Sequence, residues 1–223
     1  MTKLYKTRPI DRLGRIAIIA IYATLVTNVF HAAVAATDWF LLQGVAGDLP
    51  LGPYGEYPVH VAVTEATTML RLPVLVVGLI TSVIVLKWIY RANMNAQVWT
   101  GGMRVSPPWS IGWFFIPIAT LWKPFQGVAD TWAASHGHPL SSEAPNQLKV
   151  WWGLWLAAGA VTSVSNRMAW HADTVGIMHM SAGLEVISAL LSFGDGILFL
   201  DIVKRITTAQ TQRLSAADSD VFA

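Results

Sequence analysis

Residues 16–37 read IAIIAIYATLVTNVFHAAVAAT, a run of 22 residues without a charged side chain. A helix needs about 20 apolar residues to cross the hydrocarbon core of a bilayer, so this stretch is long enough to span it. Comparable stretches follow at 72–86, 150–166 and 177–200, the last interrupted only by Glu185 and Asp195. We therefore predict an all-α integral membrane protein with transmembrane helices at about residues 16–37, 68–90, 150–168 and 176–202.

The composition favours the same class of protein. Charged residues make up 13% of the 223 residues, whereas soluble proteins carry about 25%. We predict one transmembrane domain over residues 16–205, preceded by a basic segment (1–15) and followed by a tail (206–223). The chain contains no cysteine, which excludes disulfides, thiol catalysis and cysteine-ligated metal centres.

The positive charges predict an orientation for this domain. Thirteen of the 15 Lys and Arg residues lie in the N-terminal segment, in the connection from Lys87 to Lys149, and in the tail. The segment 38–70 has no Lys or Arg but contains four acidic residues. Because cytoplasmic loops are enriched in Lys and Arg, we predict that both termini lie in the cytoplasm.

A cleavable secretory signal is an alternative reading of the first apolar run. Its basic start and the small residues Ala33-Val34-Ala35 fit such a signal. However, Thr24, Asn28 and His31 interrupt the run, so we expect a retained transmembrane helix.

The long connection between the second and third spans contains a second apolar segment. Residues 109–122 read WSIGWFFIPIATLW, which is too short to span a bilayer and contains Pro117. We predict a re-entrant or interfacial helical hairpin over residues 109–134, on the cytoplasmic side. It could serve packing alone, or form a surface for a partner through Trp109, Trp113, Phe114, Trp122 and Phe125.

Four sequence motifs resemble one bacterial membrane family. They are residues 88–96 (WIYRANMNA), 103–117 (MRVSPPWSIGWFFIP), 121–126 (LWKPFQ) and 203–210 (VKRITTAQ). They are similar to a family catalogued as domain-of-unknown-function family 4328. The resemblance implies a four-helix protein of the bacterial cytoplasmic (inner) membrane, and it implies no activity.

Several polar residues fall inside the predicted spans. Glu185 lies near the middle of the fourth span, where a lone charge costs about 2.5–3.5 kcal/mol. It must be protonated, paired or hydrated, and its candidate partners are Arg71, His31 and Asn28. Asp195 lies closer to the cytoplasmic end. These groups either form a hydrogen-bonded core that fixes the packing of the helices, or line a path for a proton, an ion or a small solute.

Histidine and methionine cluster in the part of the chain that we predict to lie outside. Such ligands suit copper, and two histidines on facing helices suit haem, which makes His171 and His179 weak candidates. Met178, His179 and Met180 are consecutive and would point in different directions on a helix, so we expect no metal or cofactor.

The chain lacks phosphate-loop, nucleophile-elbow and zinc-protease motifs, so we expect that the protein is not an enzyme. We also expect no nucleic-acid binding.

These observations leave three functional hypotheses open. The first is a non-enzymatic accessory or scaffolding subunit, whose partners are the lipid bilayer and either other membrane proteins or further copies of itself. The second is transport or sensing of a proton, ion or small solute through a polar interior centred on Glu185. The third is metal or haem binding by the outer histidines.

Overall fold

The computed structural model describes residues 5–44, 47 and 58–221, without the side chains of 58–71 and 218–221. The described residues are mainly helical. The long helices are α1 (Asp11–Leu42), α2 (Pro58–Trp99), α5 (Asn146–Trp170) and α6 (Val175–Val221). Two shorter helices, α3 (Pro107–Gly112) and α4 (Lys123–Ser135), lie between α2 and α5.

Three of these helices are long and apolar enough to cross a membrane. They are α1, the part of α2 from Leu72 to Trp99, and the part of α6 from Val175 to Ala217. The helix α5 has 25 residues and is long enough to span a membrane, but its apolar stretch is less hydrophobic than those of the three other helices. Its Trp, Gly, Ser and Thr residues make it less apolar than the other three. Three of the four predicted spans thus coincide with helices that could cross a membrane. The fourth span, at α5, stays a prediction. The cytoplasmic location of both termini also stays a prediction.

Two compact units can be distinguished by their internal contacts. The first comprises Met1–Tyr22, Ile80–Trp152 and Leu198–Ala223, and the second comprises Ala23–Leu79 and Gly153–Ile197. Each of the four long helices contributes residues to both units.

The core of the first unit contains the polar end of α6. This helix continues to Val221, well past residue 202, where the apolar run predicts its end. Val203, Ile206, Thr207 and Gln210 are all buried, and their spacing places them on one face of the helix. Most of the residues between them are charged or polar, so the face is visible in the helical period and not in the average hydropathy.

The connection between α2 and α5 folds as short helical pieces. Pro107 begins α3, where its missing N–H has no intrahelical partner to lose. Two single turns of 3₁₀ helix follow, at Trp113–Phe115 and Ala119–Leu121, separated by Pro117. Pro124 lies in the first turn of α4, on which Val128 and Trp132 are buried. The segment 109–134 therefore contains helical structure, as predicted.

Glycine permits close helix packing in each unit. A Cβ atom built on Gly14 of α1 would lie only 2.4 Å from Thr207 Cγ2 on α6 in the first unit. In the second unit, a Cβ on Gly196 would lie 2.7 Å from Leu25 Cδ2, so the backbone of α6 lies directly against a side chain of α1. These distances are too short for any larger residue unless the neighbour moves.

Candidate functional site

The second unit contains a histidine–carboxylate pair between two predicted spans. His31 Nε2 on α1 lies 3.0 Å from Glu185 Oε1 on α6, and both side chains are more than half buried. His31 was one of three partners that the sequence suggested for Glu185. An imidazole N–H and a carboxylate oxygen at this distance form a hydrogen bond.

The pair lies in a polar cavity of about 300 Å³. Its polar lining comes from α1, α5 and α6, and one apolar residue of α2, Val74, also contributes. Besides His31 and Glu185, the polar lining residues are Asn28, Thr162, Ser165, Asn166, Ser188 and Ser192. Polar residues of the first and fourth predicted spans therefore meet in one place.

Three hydroxyl groups of this cavity are hydrogen-bonded to the neighbouring helix. Thr162 Oγ1 on α5 and Ser188 Oγ on α6 lie 2.5 Å apart. Ser165 Oγ on α5 donates to the carbonyl oxygen of Ser181 on α6, at 2.9 Å. Such bonds stabilise helix pairs inside a membrane by roughly 0.6 kcal/mol each. They fix α5 against α6 beside the histidine–carboxylate pair.

The other polar residues predicted inside the membrane differ in their position relative to this cavity. Asn28 lines the cavity, but Asp195 does not, although both belong to the second unit. Asp195 is half-buried on α6 between two glycines, and Gly194 packs against Leu154 of α5. The glycines thus serve helix packing. The side chain of Arg71 lies outside the described residues.

The two histidines named as weak metal-ligand candidates have different surroundings. Within the described part of the chain, no group of three or more His, Cys, Asp or Glu residues could hold a metal ion. His179 stacks on Trp39, with ring centroids 5.8 Å apart and planes 11° apart. His171 is exposed at the end of α5.

The aromatic residues proposed as a partner surface are divided between interior and surface. Phe114 and Phe125 pack on Trp152 of α5, with ring centroids 6.5 and 6.3 Å apart. Trp113 stacks on Trp109, with centroids 4.5 Å apart. Trp109 is 48% exposed and Trp122 is 43% exposed.

More exposed apolar residues lie beside them, and the sequence interpretation did not single these out. Phe115 is 73% exposed, Ile118 72% and Leu121 51%. Together with Trp109 and Trp122, these three residues form what we call the exposed connection surface.

A buried polar network in the first unit was also missed. Asn95 of α2 forms two hydrogen bonds with the backbone of Arg8, one from Arg8 N to Asn95 Oδ1 and one from Asn95 Nδ2 to Arg8 O, both 2.9 Å. Asn95 Nδ2 also donates to Gln210 Oε1, at 3.0 Å. Gln210 Nε2 donates to Ala92 O and Ser135 Oγ, both at 2.9 Å. Asn95 and Gln210 are completely buried.

The first unit also contains a buried carboxylate, that of Asp130 on α4, which is 1% exposed. Its Oδ2 accepts a hydrogen bond from the backbone N–H of Arg104 at 2.8 Å, and its Oδ1 accepts one from Arg104 Nε at 2.9 Å. One residue thus satisfies both oxygens. Asn95, Arg104 and Gln210 lie in the quoted motifs, which gave a signal for these contacts but not the identity of their partners, whereas Asp130 lies outside the motifs.

The profile of the family described as "Domain of unknown function (DUF4328)" matches residues 59–208, which is more than half of the chain. The chain belongs to this family. No curated protein and no solved structure is significantly similar to it. The resemblance predicted from the four motifs is therefore confirmed.

The DUF4328 region contains most of the residues described above. Glu185, Arg104, Asp130, Asn95 and the exposed connection surface lie within it, whereas His31 and Arg8 precede it. The motifs at 88–96 and 203–210 contact each other directly, because Trp88 Nε1 donates to Thr207 Oγ1 at 3.0 Å. The first and the last of the four motifs thus provide side chains that pack the first unit.

Proposed function

We propose that this protein is a multi-pass protein of the bacterial inner membrane that binds a proton at His31 and Glu185, and so transports or senses protons. In this proposal α5 is a fourth span and both termini are cytoplasmic, as the distribution of Lys and Arg favours. The observation that supports it is the 3.0 Å pair in a polar cavity between helices.

The physical argument rests on the cost of charge in a bilayer. An isolated carboxylate near the middle of a membrane helix costs about 2.5–3.5 kcal/mol on insertion scales. A histidine beside it offsets this cost, and six further polar residues line the cavity around the two. A purely structural contact needs only a hydrogen bond, whereas this pair combines an imidazole and a carboxylate, two side-chain types that proteins commonly use to transfer protons.

We expect Glu185→Gln to reduce proton flux through reconstituted vesicles by about tenfold or more, because the amide cannot accept a proton. The protein is inserted into vesicles that contain a pH-sensitive dye, and a potassium diffusion potential drives the flux. His31→Gln should have the same effect, since glutamine keeps the size and polarity of the side chain but not its titration.

The matched control is Asp173→Asn, which neutralises an exposed carboxylate of the same unit. It should leave the flux unchanged. A wild-type flux no greater than that of protein-free vesicles, or equal fluxes for wild type and Glu185→Gln, would exclude proton transport.

A second candidate function is that of an accessory subunit in a larger membrane assembly, or of a self-associating one. The exposed connection surface favours it, because an apolar patch of this kind commonly contacts protein or lipid. It belongs to the first unit, so this function is independent of the histidine–carboxylate pair.

We expect the double change Phe115→Ser and Ile118→Ser to abolish association with a stoichiometric membrane partner. The wild type and the variant are extracted from native membranes in mild detergent, and the proteins that co-purify are quantified. Trp170→Ser is the control, since Trp170 is 87% exposed but lies outside this surface. Recovery of the wild type alone as a monomer would contradict this second function.

A further inference from the structure

The first unit contains a larger cavity, of about 680 Å³. One wall is a single face of α4, and the loop from His138 to Pro145 forms another. Arg104 and Lys149 complete the lining. This volume lies within the range of about 300–1,000 Å³ that is usual for small-molecule sites. It is too small for a folded protein and large enough for a lipid headgroup with part of a chain.

The α4 wall is apolar. Phe125, Ala129, Trp132 and Ala133 recur at the spacing of one helix face, and Leu140 of the loop also lines the cavity. Ala129, Trp132 and Ala133 are each 8% exposed, so the wall is a recess and not an open surface. Such a wall favours a ligand with an apolar part.

Arg104 provides a positioned cation at this cavity. Asp130 engages its Nε and Nη2 atoms, and the backbone N–H of Arg104 binds the same carboxylate. The guanidinium therefore has a fixed direction, although 51% of the side chain is exposed. Within the described residues its Nη1 group stays available. A preorganised guanidinium is well suited to phosphate and carboxylate groups.

Lys149 provides a second cation at the same cavity. It is paired with Glu143, whose pKa is lowered by the hydrogen bond from Lys149 and by its positive charge. The side chain of Glu143 is 84% exposed, so it can move into solvent when another anion approaches Lys149. Asp130, in contrast, is buried and fully engaged by Arg104, so it does not oppose an anionic ligand directly.

We propose that this cavity binds an amphipathic anion, with its phosphate or carboxylate head between Arg104 and Lys149 and its apolar part against Phe125, Trp132 and Leu140. Two sources provide this chemistry, an anionic membrane phospholipid and a soluble alkyl phosphate or fatty acid. The site lies in the first unit and does not depend on the proton-binding pair of the second.

The test uses the full-length protein purified in a neutral detergent, with binding measured by native mass spectrometry. Dodecyl phosphate is the anionic probe, and dodecyltrimethylammonium has the same chain with the opposite charge. We expect saturable one-to-one binding of dodecyl phosphate, and affinity at least about tenfold weaker for the cationic probe. Equal affinities, or no saturable binding of dodecyl phosphate, would overturn the proposal.

Variants assign the binding to this cavity. Lys149→Gln should weaken the binding of dodecyl phosphate about tenfold, because a charge-assisted hydrogen bond is lost. Ala133→Leu should weaken it as well, since the added carbon atoms occupy the recess. Lys204→Gln, a surface change in the same unit but away from the cavity, should have no effect. If Lys149→Gln and Lys204→Gln behave alike, the binding is not at this site.

Phosphatidylglycerol distinguishes the two sources. Competition by phosphatidylglycerol, and not by phosphatidylcholine, would identify the ligand as a membrane lipid. Binding of dodecyl phosphate that phosphatidylglycerol does not displace would identify a soluble amphiphile. Displacement by both phospholipids alike would show that the head group is not recognised, which contradicts the proposal. The melting temperature of each variant confirms that the fold is retained.

Discussion

Replacement of Gln210 by Ala is expected to lower the free energy of unfolding by about 3 kcal/mol. Gln210 is completely buried and takes part in three hydrogen bonds, with Asn95, Ala92 and Ser135. The substitution removes the acceptor of one Asn95 N–H and leaves a cavity between α2, α4 and α6. Both effects destabilise the first unit.

The measurement is reversible unfolding of the purified protein in mixed detergent, followed by circular dichroism. Gln210→Met keeps the volume of the side chain and removes only the hydrogen bonds, so it separates the two contributions. Gln212→Ala is the control, because Gln212 is exposed two residues further along α6. A loss for Gln210→Ala no larger than the loss for Gln212→Ala would mean that the network contributes little to stability.

The second large effect is expected for Arg104→Gln, again about 3 kcal/mol. Removing one partner of a buried pair leaves an uncompensated charge, and Asp130 is 1% exposed. The expected loss is at the lower end of the range for buried pairs, because 51% of the Arg104 side chain is exposed.

A double-mutant cycle tests this explanation. Asp130→Asn added to Arg104→Gln removes the unpaired carboxylate, so the double variant should recover most of the lost stability. Additive losses for the two changes would show that the ion pair is not the cause. The double variant also lacks the guanidinium while keeping the fold, and should therefore bind dodecyl phosphate more weakly than the wild type.

The helices could be predicted from the sequence where apolar residues dominate. Long chargeless runs identify α1, the apolar part of α2 and the first part of α6 because lipid requires them. The end of α6 could not be placed in this way. Its buried residues include Thr207 and Gln210, whose low hydropathy is typical of surface residues. Only their helical spacing relative to the buried apolar residues indicates that they face the core.

The candidate site was predicted in part. The period of α1 and α6 puts Asn28, His31 and Glu185 on polar faces, and two such faces inside a membrane tend to meet. The partners of Asn95, Gln210 and Asp130 could not be inferred, since they come from distant parts of the chain. An amide in a motif shows that a hydrogen bond is needed, but only the packing of the helices determines which atom provides it.

The contact between Asn95 and Arg8 has a consequence for how α1 begins. Both hydrogen bonds go to main-chain atoms, so the identity of residue 8 matters less than its position. Two residues later Ile10 is buried, and Gly14 then packs against Thr207. One residue inserted between Ile10 and Leu13 would rotate the rest of α1 by about 100°. Leu13 would then lie against Thr207, where Gly14 packs now. The hydrogen bonds from Arg8 to Asn95 thus fix the rotation of α1 about its own axis, because the number of residues between Arg8 and Gly14 decides which residue faces Thr207.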